Sequence, residues 1–157
     1  MYKKRLTKEQ ALQKLKHYCG YQERCHSEVK TKLYELGVSK ADHDEIIATL
    51  IEESYLNEER FAIAFAGGKF RMKQWGRVKI KYELKQKQVS EYNIKKALKE
   101  INEEAYQETL NKLAEEKYVD LKSEQWLVRK RKTMDFLLQK GFEPALINQA
   151  VQGITDN

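Results

Sequence analysis

At 157 residues, with 41% hydrophobic and 34% charged residues, the chain has room for one or two ordinary domains or a short array of repeats with a heavily solvated surface. One proline and seven glycines are too few for the turns of an all-β protein, and the helix formers Ala, Leu, Glu, Lys and Gln dominate. The net charge of +6 favours an anionic partner, either nucleic acid or an acidic protein surface; no run approaches the roughly 18 apolar residues of a membrane helix, nothing reads as a signal peptide, and two cysteines make no disulfide framework, which together point to the cytoplasm.

Taken in order, Thr7 with Gln10 forms a capping-box pattern opening a helix that carries Ala11, Leu12 and Leu15 and ends near Gly20. A second helix runs from about His26 to Leu36 with Val29, Leu33 and Leu36 on one face, and Gly37 stops it. Ser39 caps a third, from about Lys40 to Glu53, burying Ile46, Ile47, Leu50 and Ile51. The pattern then restarts. Asn57 caps a helix with Phe61, Ala62 and Phe65; a turn around Gln74–Gly76 leads into a helix with Val78, Ile80 and Leu84. Ser90 caps the next, with Ile94, Ala97, Leu98 and Ile101. The third round has Tyr106, Leu110, Leu113 and Tyr118 after Asn102, then a long helix from about Ser123 to Lys140 stopped by Gly141. Pro144 starts the last helix, where its missing N–H costs nothing.

Shifts of 51 and then 53 residues align Val29, Ile80 and Thr133; Leu33, Leu84 and Leu137; Val38, Val89 and Phe142; Ile47, Leu98 and Val151; and Leu50, Ile101 and Ile154. A constant offset across two helices and their turn is the mark of tandem repeats. The expected fold is all-α: three tandem three-helix repeats, about nine helices, forming an elongated, curved array. The expected units are residues 1–56, with a short basic N-terminal tail, 57–101 and 102–157. Each is too small to bury a sizeable core alone, so neighbours must supply contacts.

Charge is concentrated in one stretch. Lys69–Lys87 holds eight basic residues (Lys69, Arg71, Lys73, Arg77, Lys79, Lys81, Lys85, Lys87) against one acid, Glu83, so its +7 exceeds the +6 of the whole chain. Phe70, Trp75 and Tyr82 are interleaved. Under the repeat offset, Arg77 and Lys79 map onto Lys130 and Lys132 in the run Arg129–Lys132, whereas the first unit has His26 and Glu28 there. Solvated helix faces would explain single lysines; a binding strip explains the concentration. Tyr82 could stack on a base or pack against a neighbouring unit. Gly76 serves either a positive φ or a close backbone approach, and Gly67-Gly68 reads as a frayed helix end.

His17, Cys19, Cys25 and His26 form H-x-C-x5-C-H, which matches no common zinc spacing, and Cys25 sits in a cap-like position three before Glu28. There is no phosphate-binding glycine loop, Gly-x-Ser-x-Gly or His-Glu-x-x-His, and the acid pairs Glu52-Glu53, Glu58-Glu59, Glu103-Glu104 and Glu115-Glu116 lie mostly near helix ends. An enzyme is not expected.

Tyr55-Leu56-Asn57-Glu58-Glu59-Arg60-Phe61-Ala62, followed by Trp75-Gly76-Arg77-Val78-Lys79-Ile80 and Glu83-Leu84, resembles the central motif of the RecX family of bacterial recombination regulators. The Ala11-Leu12 helix and Glu28-Val29 through Lys32-Leu33 also fit, so the resemblance covers residues 8–154, specific in the centre and weak in the last third. Asn57 and Glu58 stand where the family often has aspartates, and Cys25 where it usually has a capping serine. The resemblance implies an all-helical regulator of DNA repair, recombination and the SOS response. Such a protein lies along the groove of the RecA–DNA filament, bridges RecA protomers and suppresses ATP hydrolysis, strand exchange and filament growth. The residues expected to meet RecA or DNA are Lys69, Arg71, Lys73, Trp75, Arg77, Lys79, Lys81, Tyr82 and Lys85, continued by Arg129, Lys130, Arg131 and Lys132. No catalytic residue, metal or cofactor is expected. The partners are the RecA filament and, weakly and salt-dependently, single- or double-stranded DNA; no membrane is involved, and the chain acts as a monomer. The alternatives are a stand-alone DNA-binding protein that competes for the strand, or a helical adaptor for another acidic protein.

Overall fold

The computed structural model describes residues 6–155, so the expected basic tail at residues 1–5 lies outside the described residues. Within them the chain is all-α: α1 (Lys8–Tyr21), α2 (His26–Glu35), α3 (Lys40–Glu52), α4 (Glu58–Gly68), α5 (Arg77–Gln86), α6 (Glu91–Lys99), α7 (Glu103–Asp120), α8 (Trp126–Lys140) and α9 (Pro144–Thr155). These nine helices, counted among the described residues, form tandem three-helix repeats.

The helices begin where side chains can satisfy their orphan amides. Thr7 Oγ1 accepts from the Gln10 amide at 3.1 Å while Gln10 Oε1 accepts from the Thr7 amide at 3.0 Å. Asn57 Oδ1 accepts from Arg60 N at 2.9 Å, Asn102 Oδ1 from Ala105 N at 2.8 Å, and Ser90 Oγ from Asn93 N at 3.3 Å. Ser39 departs from expectation. Its hydroxyl makes no cap bond, and the first turn of α3 is closed through the backbone, Asp42 N donating to Ser39 O at 2.9 Å. α8 starts at Trp126 because Gln125 Oε1 accepts from Val128 N at 3.3 Å.

The α-helix ends at Gly68, as expected of the Gly67-Gly68 pair, but it does not fray. Gly68 is helical (φ −63°, ψ −47°), and the chain widens into a π-helical turn, Lys69–Lys73, closed by left-handed Gln74, whose amide donates to Lys69 O and Phe70 O. The two glycines cost about 1 kcal/mol each relative to alanine. Burial of Phe70 by the widened turn offsets that cost.

The repeat alignment is visible in the packing. Of the fifteen aligned residues, all but Leu98 and Ile154 are buried. Thr133, the polar member, satisfies its hydroxyl by donating to Arg129 O at 2.8 Å. The turn between second and third helix is also the same each time. Val38 N donates to Leu33 O at 3.0 Å, Val89 N to Leu84 O at 3.1 Å and Phe142 N to Leu137 O at 3.2 Å. The preceding residue is left-handed in all three: Gly37 (φ 70°), Gln88 (φ 65°) and Gly141 (φ 95°). Only the middle repeat places a side chain in that conformation. Replacing Gln88 by glycine is expected to stabilise the protein by about 1 kcal/mol, read as a higher urea midpoint at unchanged slope.

Two compact units emerge from the packing, one reaching as far as Ala64 together with Leu84–Lys96, the other Phe65–Glu83 together with Ala97 onward. In the N-terminal unit α1, α2 and α3 pack on one another around Leu15, Val29, Leu33, Ile46 and Leu50. The end of α5 reaches the start of α2 in this unit: Ser27 Oγ donates to Lys87 O at 2.7 Å and Lys87 Nζ pairs with Glu28 at 3.3 Å. His26 Nδ1 lies 3.2 Å from Glu58 Oε2, while Glu58 Oε1 is buried with no partner. Burial pushes the Glu58 carboxyl upward against the opposing pull of His26. In the C-terminal unit α7, α8 and α9 pack mutually, and the rings of Phe70, Tyr106 and Phe142 stack in series at 5.7 and 5.2 Å between centroids.

Candidate functional site

Almost all the basic residues singled out in the sequence fall in the C-terminal unit, and the structure divides them by what they touch. Arg77, at the head of α5, is half-buried. Its guanidinium lies 3.8 Å from the Tyr106 ring centroid, pairs with Glu143 Oε2 at 2.9 Å and pairs also with Glu103. Tyr106 is fully buried; its hydroxyl accepts from the Arg77 amide at 2.9 Å and donates to Glu143. Burial, with the bond to Glu143, pushes the Tyr106 phenol far above its ordinary range. Arg77 therefore spends its charge inside the fold.

The turn before it explains Gly76. The Gly76 amide donates to Lys140 O at 2.8 Å and the Val78 amide to Gly141 O at 2.9 Å, so the carbonyl end of α8 caps the amide end of α5. A methyl carbon on Gly76 would stand 2.3 Å from Gly141 O and 2.5 Å from Phe142 N. Close backbone approach, not a positive φ, is the reason for glycine there. With its first amides taken, the head of α5 offers no backbone anion site.

Other cations are also committed. Arg129 lies 3.6 Å from the Tyr118 ring centroid and donates to Tyr118 O at 2.6 Å; Lys132 pairs with Glu124 at 2.7 Å. Trp75, half-buried and edge-on to Phe65, has Lys79 at 4.6 Å and Lys69 at 5.1 Å from its ring centroid. Lys85 belongs to the N-terminal unit, where it makes an exposed pair with Glu91 at 3.7 Å.

What remains is a smaller set. Arg71, Lys73, Lys81 and Arg131 are exposed, Lys130 is half-exposed, and none of the five has an acidic partner among the described residues. In the π-helical turn Arg71, Met72 and Lys73 are all exposed, Met72 by 82%, and the Arg71 guanidinium lies back over Gly67. Tyr82, next to Lys81, is 60% exposed, so it is available for stacking. Lys130 and Arg131 lie about 15 Å along α8 from its junction with α5, at 1.5 Å per residue. Among the described residues, no hydrogen bond or ion pair joins those two residues to the π-helical turn.

Sequence reasoning missed Glu103, Tyr106 and Glu143 as the partners of Arg77. The only signal was the Asn-Glu start of α7, which repeats the Asn57-Glu58 start of α4, with His26–Glu58 as the first-repeat counterpart of Arg77–Glu103. Among the described residues no group of three or more His, Cys, Asp or Glu side chains is placed to hold a metal ion, and no helix is long and apolar enough to cross a membrane. Cys19 and Cys25 are buried free thiols, and burial pushes the Cys19 thiol up to about 11.

Comparison with known proteins agrees with this architecture. Residues 57–98 match the family model for the second three-helix domain of RecX, and residues 103–151 that for the third, together more than half of the chain. Regulatory protein RecX of Clostridium perfringens (strain 13 / Type A) is 36% identical over 83% of this chain, and regulatory protein RecX of Bacillus cytotoxicus is 28% identical over 88%. The chain spans 61% and 52% of those two relatives' own lengths. The crystal structure of RecX from Lactobacillus salivarius superimposes with a TM-score of 0.86 at 23% identity, covering 96% of this chain and 97% of that one, a likeness of fold. With two successive domain matches in register with its own repeats, the chain belongs to the RecX family.

Proposed function

We propose that this chain is a non-enzymatic regulator that docks on the RecA–DNA filament and inhibits RecA ATP hydrolysis, strand exchange and filament growth. In this reading three repeats, bounded at residues 57 and 102, present their free cations to RecA acids or DNA phosphates. The observation that carries it is the set Arg71, Lys73, Lys81, Lys130 and Arg131, left without acidic partners among the described residues in a chain of this family. Lys69, Trp75, Lys79 and Tyr82 add to that set within the C-terminal unit, Lys85 is a further contact carried by the N-terminal unit, and Arg77, Arg129 and Lys132 serve indirectly by holding the fold. Bridging adjacent protomers favours one filament state through differential affinity, which slows a turnover that needs subunits to shift.

The test is RecA ATPase inhibition on saturating single-stranded DNA, with and without excess competitor DNA. Inhibition that survives the competitor supports filament docking. Inhibition abolished by competitor at equal filament concentration favours simple competition for the strand, and no affinity for filament or DNA favours an adaptor for another acidic protein. If all five free cations met phosphates, log affinity for DNA would fall with log salt at a slope of about −4 to −5.

A further inference from the structure

We propose that the first repeat carries a cleft for a nucleotide unit, a site that does not depend on the basic surface of the C-terminal unit. A cleft of about 510 Å³ is lined by α1, the loop after it and α2, a size typical of small-molecule sites. Its chemistry is one-sided. Lys14, Arg24 and Lys32 line it together with His17, Tyr18 and Tyr21, and no Asp or Glu does.

The aromatic floor is held in place. The Arg24 guanidinium lies 3.7 Å from the Tyr18 ring centroid and donates to Tyr18 O at 3.1 Å, while Lys32 Nζ is 5.5 Å from the same ring. Tyr21, 79% exposed, leaves a ring face open to a ligand. Lys14 and His17 have no acidic partner among the described residues, and Lys32 has only Glu35, at 3.8 Å on its own helix. An apolar ligand would leave Lys14 and Lys32 facing it. A bare anion would leave the open Tyr21 ring unused. A planar base bearing a phosphate uses both, stacking on Tyr21 while the phosphate meets the two lysines, Arg24 being held over Tyr18 as part of the cleft wall. The same chemistry comes from a free nucleotide or from one nucleotide of a single strand.

The test uses the full chain, ¹⁵N-labelled, titrated with dAMP and followed by amide shifts. The expected result is saturable movement confined to residues 13–24 and 32–36, with Kd weakened at least about fivefold in Lys14→Gln/Lys32→Gln and no change in that variant's melting temperature. Deoxyadenosine and inorganic phosphate are each expected to bind at least about tenfold more weakly than dAMP. A tri-deoxyadenylate binding at least tenfold tighter than dAMP assigns the cleft to a strand; equal affinity assigns it to free nucleotide. Three outcomes overturn the proposal: no shifts at 10 mM dAMP (about the weakest affinity worth calling a site), inorganic phosphate matching dAMP, or triglutamate moving the same amides as strongly, which would assign the cleft to an acidic peptide.

Discussion

Gly76→Ala is expected to lower the thermal midpoint by roughly 10 °C, the equivalent of about 3 kcal/mol or more for a chain of this size. The added carbon would sit 2.3 Å from Gly141 O and 2.4 Å from Gly141 C, and both contacts are backbone, which cannot rotate away. Relief requires parting α5 from α8, which breaks the bonds from Gly76 N and Val78 N and leaves their amides unpaired. The facing residue is equally constrained: a methyl carbon on Gly141, itself at φ 95°, would meet Lys79 N at 2.7 Å. Gly153 is the control, since nothing stands within 4 Å of a carbon built there. Gly153→Ala, within the last helix, is expected to leave the midpoint unchanged or slightly raised. A melt of Gly76→Ala within 2 °C of the parent (less than about 1 kcal/mol) would contradict the close approach.

Charge reversal separates two kinds of cation that look alike in the sequence. Arg77→Ala is expected to cost about 2–3 kcal/mol, because Glu143 and Glu103 lose their counter-charge and Tyr106 loses the cation over its ring. Lys81→Glu with Arg131→Glu is expected to keep the parent's melting temperature within 2 °C, about 1 kcal/mol at most, and to weaken RecA inhibition at least tenfold at about 0.1 M salt. The measurement is a paired one, unfolding and ATPase inhibition on the same preparations. Parent-like inhibition by the stable double variant would remove the free cations from the working surface.

The helices and their register were legible because the apolar periodicity repeats at offsets of 51 and then 53 residues, and local caps such as Thr7, Asn57, Ser90 and Asn102 mark helix starts. Val29, Ile80 and Thr133, or Leu33, Leu84 and Leu137, occupy equivalent core positions as the offset predicts. Gly76 was legible in kind, though not in partner, because Gly141 lies 65 positions on. The site was less so. A count of lysines and arginines cannot show that Arg77 closes on acids from α7 and from the start of α9, or that Arg129 covers Tyr118. Local rules also failed at Gly67-Gly68, where the π-helical turn is fixed by burying Phe70 against Tyr106, a contact across 36 positions. The left-handed Gln88 has no local signal at all; only its alignment with Gly37 and Gly141 marks it.

The capping of α5 by α8 has a consequence for how the chain is made. The peptide groups at 76 and 78 find their acceptors at 140 and 141, so the middle helix leaves the ribosome with its leading turn unfinished. At about 5–20 residues per second, the missing partners arrive roughly 3–13 seconds later. The first repeat waits in the same way, since Ser27 at the head of α2 finds its acceptor at residue 87, at the end of the second repeat's middle helix.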